Sequence, residues 1–320
     1  MSEEIEATQR ITAGDLCAAR ELGISLEILR GQGGLGNEIR SPRVQKLGLA
    51  LAGHPDYIHP DRVQLLGGSE INYLSNLDPA QRRVSFARLS GLGLCCIVVT
   101  KGLEAPPELL EVAEREGIPI LRTPALSALA VARITSYLES VLAPRMSVHG
   151  VLLDVFGLGI LLLGPSGIGK SECALELLLK GHRLVADDLV EITRRGLDRL
   201  VGAGSQVLRY HMELRGLGII DIKELFGISA TGSTQTLDMA IRLEKWKPHE
   251  EYDRLGLEQS TIEYLGVSIP VIEMPVAPGR NISALVEVAA RLHLLRQRGY
   301  PPSREFLDIM VPKPGTYQKS

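Results

Sequence analysis

A glycine-rich segment at residues 164–171 offers the clearest chemistry in the sequence. It reads Gly164-Pro165-Ser166-Gly167-Ile168-Gly169-Lys170-Ser171 and fits the pattern GxxxxGK[ST]. In such a loop the glycines let the backbone approach phosphate oxygens, while N–H groups and a helix N-terminus supply positive partial charge. The lysine adds a full charge, and the serine hydroxyl can bind Mg²⁺. The segment therefore predicts a phosphate site formed by all of these residues.

Two adjacent carboxylates, Asp187 and Asp188, follow an apolar run about one helix-length after the glycine-rich segment. This pattern is typical of a Walker B element, in which one acidic residue holds the metal and another can act on the nucleophile. Side chains alternate along a strand, so the two carboxylates should point in different directions and have different roles. The alternative is a strand end that is simply solvated.

These groups need a strand before the loop and a helix after it. Gly159 to Leu163 is apolar and predicts that strand, the segment from Ser171 to Lys180 predicts the helix, and Gly150 to Val155 predicts a preceding strand. The first half contains no catalytic motif. Gly31 to Gly34 and Gly67-Gly68 lack a strand-to-helix context, and we expect turns at both.

The first half does contain a predicted βαβ unit. Leu92 to Thr100 is predicted as a buried strand, Pro106 to Glu116 as a helix and Ile118 to Leu121 as a strand. Such units place parallel strands in a sheet covered by helices, so this region is expected to be a small α/β domain. A helix from about residue 127 to 141 would connect the domains. We expect an N-terminal domain at 1–132 and a catalytic domain at 133–320.

Length and composition limit the function classes. The chain has 320 residues, a length that suggests two domains. Hydrophobic residues make up 45% and charged residues 23%, as in ordinary globular proteins. A formal net charge of −3 gives no bulk electrostatic reason to bind nucleic acid or a membrane. The first residues are acidic rather than signal-like, and the most apolar stretch, Gly157 to Leu163, is too short to span a bilayer. We expect a cytoplasmic protein.

Five segments of the second half resemble one known family. They are Ser147-Val-His149-Gly, the glycine-rich loop, Val185-Ala-Asp187-Asp188, Met212-Glu213-Leu-Arg215-Gly-Leu-Gly-Ile-Ile-Asp221 and Pro275-Val-Ala-Pro-Gly-Arg280-Asn281. Their order and spacing are similar to those of HPr kinase/phosphorylase. The resemblance covers the whole C-terminal half, and the segment starting at Met212 is the most specific part of it.

The resemblance implies an enzyme that phosphorylates a serine of the phosphocarrier protein HPr with ATP or pyrophosphate and so regulates carbon metabolism. It also implies phosphorolysis of phosphoserine-HPr by inorganic phosphate, which yields pyrophosphate. It further implies a homohexamer, and a P-loop C-terminal domain with a fold like that of phosphoenolpyruvate carboxykinase. The sequence contains no HRD-type catalytic loop or DFG segment of the eukaryotic protein kinases.

The same resemblance assigns roles residue by residue. It implies that His149, Lys170, Arg254 and Arg280 are catalytic, and that Ser171 and Glu213 are ligands of Mg²⁺. The pair Asp187 and Asp188 supplies the proton acceptor for the serine, and we expect Asp188 to be the acceptor. Arg280 belongs to the segment associated with the phosphorolytic direction.

The sequence departs from the family pattern at two positions. Pro165 stands where the family loop usually has aspartate, so a carboxylate is absent and the backbone φ is fixed there. Ala277 stands where the family usually has arginine, so the segment associated with phosphorolysis lacks one charge.

Other interpretations remain open from the residues alone. The chain could be a P-loop kinase of small molecules, or a regulator in which the loop senses a nucleotide without transferring phosphate. His149 taken alone could be a structural histidine. Glu213 and Arg215 could form a surface ion pair worth under about 1 kcal/mol. Phosphate transfer to added HPr, compared with nucleotide binding alone, distinguishes these functions.

Overall fold

The computed structural model describes residues 4–6, 10–205, 209–246, 260–277 and 279–300. Its contacts divide the chain into an N-terminal unit, residues 7–144, and a C-terminal unit, which comprises residues from 145 onward and the first six residues. The expected boundary between residues 132 and 133 falls inside a helix, Ser127–Val141. Ile134 and Leu138 of this helix are buried in the core of the N-terminal unit, so we place the boundary after Pro144.

The strands and helices are numbered in chain order. The strands are β1 (Glu4–Glu6), β2 (Ile11–Thr12), β3 (Glu27–Arg30), β4 (Glu38–Ile39), β5 (Val44–Lys46), β6 (Val63–Leu66), β7 (Ile97–Val99), β8 (Ile120–Arg122), β9 (Arg145–His149), β10 (Val151–Val155), β11 (Leu158–Leu163), β12 (Arg183–Ala186), β13 (Leu189–Arg195), β14 (Arg199–Gly204), β15 (His211–Leu214), β16 (Gly218–Asp221), β17 (Thr234–Thr236), β18 (Met239–Lys245), β19 (Ser260–Tyr264) and β20 (Val267–Val276). The α-helices are α1 (Ala13–Ala18), α2 (Gly48–Ala52), α3 (Gly68–Ser75), α4 (Pro79–Ala87), α5 (Pro107–Glu116), α6 (Ser127–Val141), α7 (Lys170–Leu179), α8 (Ile222–Phe226) and α9 (Ile282–Gln297). Among the described residues, none of these helices combines the length and the apolar character needed to cross a membrane.

The N-terminal unit is built on a sheet with the strand order β3-β8-β7-β6-β5. Strands β5 to β8 are parallel, and β3 is antiparallel to β8. Helices cover both faces, which is why the central strands β6 and β7 are buried along their whole length. Val99 packs with α2 to α5 on one face, whereas Val98 packs with α1 and α6 on the other.

The βαβ prediction in this unit is confirmed, with one strand shorter than expected. Helix α5, strand β8 and helix α6 lie close to their predicted ranges. Strand β7 begins only at Ile97, although Leu94 to Cys96 are buried. The backbone of these residues bonds to loop and strand partners instead, as in Cys95 N donating to Pro60 O at 2.9 Å.

The prediction for Gly67-Gly68 was wrong. Gly67 directly follows β6 and is the N-cap of α3, so the pair lies in a strand-to-helix connection of the kind that the sequence did not indicate. The helix was missed because Gly68–Ser75 is short and mostly polar, with little apolar periodicity to reveal it.

The C-terminal unit contains two packed sheets. One has the order β12-β10-β11-β18-β20-β19 and the other β1-β9-β13-β14-β17, and β15 and β16 form a separate hairpin. Val148 of β9, Leu161 of β11 and Ile192 of β13 share the core between the sheets. The two-domain α/β fold class expected from the sequence is therefore confirmed.

The first sheet also packs against helices on its opposite face. Leu162 of β11 and Ile241 of β18 contact a core that includes Leu177 of α7 and Val286 of α9. Strands β11, β18 and β20 are parallel, so their carboxyl ends lie along one edge of the sheet. The glycine-rich loop leaves the sheet at this edge.

Candidate active site

The glycine-rich loop connects β11, whose residues are all buried, to α7, which begins at Lys170. Gly164 has φ 144°, and a Cβ there would lie 2.7 Å from the carbonyl oxygen of Leu243 on β18. Gly167 has φ 77°, and a Cβ there would lie 3.0 Å from the guanidinium of Arg215. Both positions need glycine, because the chain turns into the left-handed region while neighbours crowd it. The predicted strand, loop and helix are confirmed.

The Lys170 ammonium lies across this loop. Its Nζ donates to the carbonyl oxygens of Gly164 at 2.9 Å and Pro165 at 3.2 Å. Pro165 has no backbone N–H, so it contributes a carbonyl to the lysine but no donor to a phosphate. The lysine is thus held at the loop opening from the first turn of α7.

Asp187 joins three parts of the site. Ser171 Oγ donates to Asp187 Oδ1 at 3.1 Å, and the backbone N–H of Glu213 donates to Oδ2 at 3.3 Å. The residue is only 9% exposed. Burial raises the pKa of Asp187 to about 6, aided by the neighbouring Asp188 carboxylate and opposed by the hydrogen bonds from Ser171 and Glu213.

Asp188 points elsewhere. It has φ 66°, and its side chain is 78% exposed. Its carbonyl oxygen accepts from Gly150 N at 3.0 Å, which fixes the turn between β12 and β13. The two adjacent carboxylates therefore differ in direction and in solvent contact, one buried and one open.

His149 lies beside Asp188 because of the register of the second sheet. Strand β13 pairs with β9 so that Leu189 faces His149. The His149 Nδ1 is 3.7 Å from Asp188 Oδ1, and the imidazole is 61% exposed. An exposed pair at this distance adds little stability, so its position at the open side of the site is the relevant feature.

Glu213 and Arg215 reach the site from the β15–β16 hairpin. Met212 and Leu214 are buried in the core, so the intervening Glu213 faces outward, as does Arg215 two residues later. Among the described residues these two side chains form no ion pair with each other, and Arg215 lies against Gly167 instead. A cleft results, lined by Val151, Ser166, Gly167, Gly169, Lys170, Ser171, Glu172, Asp187, Asp188, Glu213 and Arg215.

Three of these lining residues, Val151, Glu172 and Arg215, were not predicted as site residues. Arg215 directly follows β15, and its spacing of two residues from Glu213 was a signal that could have placed it on the same side of the hairpin. Glu172 lies in the first turn of α7, and nothing in its sequence context distinguished it.

The remaining predicted residues lie apart from the cleft or outside the described residues. Arg280 is exposed, and its Nη1 donates to the carbonyl oxygen of Pro275 at 3.1 Å. Arg280 follows β20 at the same sheet edge as the glycine-rich loop. Two residues later, Ile282 Cδ1 lies 3.9 Å from the position that a Cβ on Gly169 would take. Arg280 is not one of the described residues that line the cleft. Arg254 lies outside the described residues.

The donor atoms of the cleft fit a hard divalent cation. The Ser171 hydroxyl and the Glu213 and Asp187 carboxylates are all oxygen ligands, the type that Mg²⁺ prefers. The groups that lower the pKa of Asp187 are hydrogen-bond donors rather than a cationic side chain. A buried carboxylate of this kind is stabilised when a metal ion supplies the missing positive charge.

The chain is similar to known proteins of one family. Residues 11–138 match the family model described as HPr Serine kinase N terminus, and residues 140–310 match that of the HPr Serine kinase C-terminal domain. A protein of Geobacter sulfurreducens named HPr kinase/phosphorylase is 48% identical, over 93% of both chains. One of Brevibacillus brevis with the same name is 41% identical, over 88% of this chain and 91% of the relative. The solved structure of the Hpr(Ser) kinase/phosphatase from Coxiella burnetii is 33% identical, covering 51% of this chain and 98% of that chain, with a TM-score of 0.45.

Proposed function

The chain belongs to the HPr serine kinase family, and from this premise we propose that it phosphorylates a serine of the phosphocarrier protein HPr and removes that phosphoryl group by phosphorolysis. One observation carries the proposal. A phosphate-binding loop, a buried carboxylate bonded to the loop serine, and an exposed carboxylate line one cleft. This arrangement can hold a phosphoryl donor and leave a proton acceptor open to a serine of another protein.

We propose that the donor phosphates bind the loop N–H groups and the N-terminus of α7. Lys170, which lies at the loop opening, would turn from the carbonyl oxygens of Gly164 and Pro165 to the transferring phosphate. Ser171 and Glu213 would hold Mg²⁺, with Asp187 orienting the Ser171 hydroxyl. Mg²⁺ would neutralise charge on the donor phosphates. The family implies a nucleotide donor, and we propose ATP or pyrophosphate.

Asp188 is the proposed proton acceptor. In the forward direction the serine O–H gives its proton to Asp188, the serine oxygen forms a bond to the terminal phosphorus, and the bond to the rest of the donor breaks. In the reverse direction inorganic phosphate attacks phosphoserine, the bond to the serine oxygen breaks, and that oxygen takes its proton from Asp188. Pyrophosphate is the product. His149, 3.7 Å from Asp188, would orient the carboxylate and carry charge beside it.

Arg254 and Arg280 are proposed to neutralise charge on the transferring group. For Arg280 this requires the guanidinium to leave the carbonyl oxygen of Pro275 and turn toward the loop at the same sheet edge. Ala277 leaves this segment with one charge fewer than the family pattern, so we expect phosphorolysis to depend more strongly on Arg280.

The family also suggests assembly and context. We propose a cytoplasmic homohexamer, formed through a C-terminal domain with a fold like that of phosphoenolpyruvate carboxykinase, which regulates carbon metabolism. We propose that neither a nucleic acid nor a membrane is a partner of this protein. A small-molecule kinase or a nucleotide-sensing regulator is less favoured, because Asp188 and His149 are open to solvent, as docking of a protein requires.

The direct test uses purified HPr and labelled ATP or labelled pyrophosphate. We expect label on a serine of HPr, and release of pyrophosphate when phosphoserine-HPr is incubated with inorganic phosphate. Nucleotide binding without transfer to HPr would favour the regulator, and transfer to small hydroxy compounds but not to HPr would favour the small-molecule kinase.

A further inference from the structure

A second cavity lies in the N-terminal unit, far along the sequence from the groups of the active site. Its volume is about 560 Å³, within the range of small-molecule sites. It is lined by Lys46, which ends β5, Gly68 and Ser69 at the start of α3, Lys101, which follows β7, and Ser127 at the start of α6. All these residues lie at the carboxyl ends of the parallel strands.

The connections at this edge diverge. Helix α3 follows β6 onto one face of the sheet, whereas α6 follows β8 onto the opposite face. In open α/β sheets, a crevice outside the carboxyl ends of the strands, between connections that leave toward opposite faces, is the usual ligand position. The cavity occupies such a crevice.

The two helix N-termini are adjacent there, and neither has a side-chain cap. The N-cap of α3 is Gly67, which has no side chain to accept a hydrogen bond, and the N-cap of α6 is Leu126. The two helix starts lie side by side, since a Cβ on Gly67 would be only 2.8 Å from Ser127 Oγ. Their first-turn N–H groups carry positive partial charge toward the same space.

Lys101 adds positive charge at the same point. A Cβ on Gly68 would lie 3.3 Å from the Lys101 Nζ, so the ammonium lies over the start of α3. Lys101 has φ 63°, an uncommon conformation for lysine. Among the residues that the structure describes, its ammonium forms no ion pair. A cation beside a helix N-terminus is electrostatically unfavourable, and an anion between them reverses this.

One carboxylate is present, but it is already engaged. Glu70 is 7% exposed, and its Oε2 accepts from the backbone N–H of Gly67 at 3.0 Å. Its Oε1 is 4.0 Å from the Nζ of Lys46, which is 58% exposed. Within the described part of the chain, two ammonium groups and two helix N-termini therefore lie at this crevice, with Glu70 as the one carboxylate beside them.

We propose that this crevice binds a small phosphorylated metabolite, with its phosphate group held by Lys101, Lys46 and the N-termini of α3 and α6. A dianionic phosphate offers acceptors to both ammonium groups and to the first-turn N–H groups at once. The Ser69 hydroxyl supplies a further donor, whereas the Ser127 hydroxyl is already hydrogen-bonded to Thr100 Oγ1 at 2.6 Å. The remaining volume accepts the organic part of the ligand.

Hydrogen–deuterium exchange of the whole chain tests the proposal, because it reports each site separately. The probes are inorganic phosphate and glucose 6-phosphate as a model phosphate ester. We expect both to protect peptides covering residues 67–71 and 127–130. Protection by the ester at lower concentration would identify an organic phosphate as the ligand, and equal protection would identify the phosphate group alone. No protection of these peptides by either probe would overturn the proposal.

Variants separate this site from the glycine-rich loop. Lys101→Met should raise the probe concentration needed to protect both peptides by roughly tenfold or more. This is the loss expected for one charge-assisted hydrogen bond. Lys101→Arg should restore it. Lys170→Ala should leave it unchanged, which makes a failure here distinguishable from a failure of the proposed phosphoryl transfer. Gly68→Ala, which favours the helix but displaces the Lys101 ammonium, should also weaken protection without unfolding the unit. Unchanged protection in both Lys101→Met and Gly68→Ala would contradict the site.

Discussion

The active-site cleft of the C-terminal unit and the crevice of the N-terminal unit share a backbone arrangement but differ in their side chains. Each lies at the carboxyl ends of parallel strands, beside a helix N-terminus and a lysine. The active-site cleft is also lined by four carboxylates, of which Glu172, Asp188 and Glu213 are exposed and Asp187 accepts hydrogen bonds from Ser171 and Glu213. In the crevice, the carboxylate of Glu70 is bound to the backbone of Gly67. Attraction of phosphate needs only N–H groups and a cation, whereas transfer of phosphate also needs groups that hold a metal and accept a proton.

The loops differ as well. In the active-site cleft Gly164, Gly167 and Gly169 all have φ in the left-handed region, so the chain curves around the space in which we propose that the donor phosphates bind. In the crevice Gly67 has φ −105°, and the chain passes directly from strand to helix. The crevice therefore offers helix ends without an encircling loop, and we expect it to bind phosphate more weakly than the active site.

The largest expected effect is the loss of transfer in Lys170→Ala. This variant lacks the charge nearest the moving phosphoryl group, and we expect both directions to slow by about 10³-fold or more. Initial rates with HPr and with phosphoserine-HPr measure this. The matched control is Lys101→Met, which should keep rates within about twofold in the absence of metabolites. Near-normal rates in Lys170→Ala would remove the loop from the mechanism.

A second comparison is between the two aspartates. Asp188→Asn should slow both directions together by about 10²- to 10⁴-fold, because the amide keeps the shape but loses the basicity. Nucleotide binding, measured by calorimetry, should be largely retained. If Asp188→Asn leaves forward transfer intact while Asp187→Asn eliminates it, the roles within the pair are reversed.

Asp187→Asn should chiefly alter the metal requirement. Because Asp187 orients the Ser171 hydroxyl, we expect the Mg²⁺ concentration for half-maximal rate to rise about 10- to 100-fold. Titration of Mg²⁺ in each direction tests this. Activity of the unsubstituted protein should also vanish in excess chelator and return with Mg²⁺. Full turnover in chelator would exclude the metal site.

The smallest effect concerns stability without metal. The pKa of Asp187 is raised by burial from its usual 3.8 to about 6, so the folded state binds more protons than the unfolded chain between these values. The free energy of unfolding should therefore fall as pH rises through this window, by about 1–3 kcal/mol. The Asp187→Asn variant should not show this fall. We expect it to be more stable than the unsubstituted protein by a similar amount at pH 7, with no gain below about pH 4.

Denaturant unfolding in chelator at several pH values measures the difference. Glu70→Gln in the N-terminal unit serves as a comparison for a buried carboxylate outside the active site. An Asp187→Asn variant that is less stable at neutral pH would mean that the hydrogen bonds to Ser171 and Glu213 outweigh the cost of the buried charge.

The sequence predicted well those parts of the fold that depend on neighbouring residues. The strand β11, the loop and α7 form one continuous segment, and α5, β8 and α6 each have a clear apolar period. Gly67-Gly68 was misassigned because α3 is short and polar, so its helical character comes from packing rather than from periodicity. The domain boundary also depended on packing, since only the burial of Ile134 and Leu138 assigns α6 to the N-terminal unit.

By itself the sequence determined the strand, glycine-rich loop and helix and predicts their phosphate chemistry, because glycine conformations, N–H groups and the start of a helix are local properties of a contiguous segment. Only the tertiary structure decided the directions of Asp187 and Asp188. Asp187 meets Ser171 and Glu213, which are 16 and 26 residues away in the chain, through sheet pairing and burial. The meeting of Gly68, Lys101 and Ser127 was likewise beyond the sequence, because parallel strands bring distant connections to one edge only when the sheet is assembled.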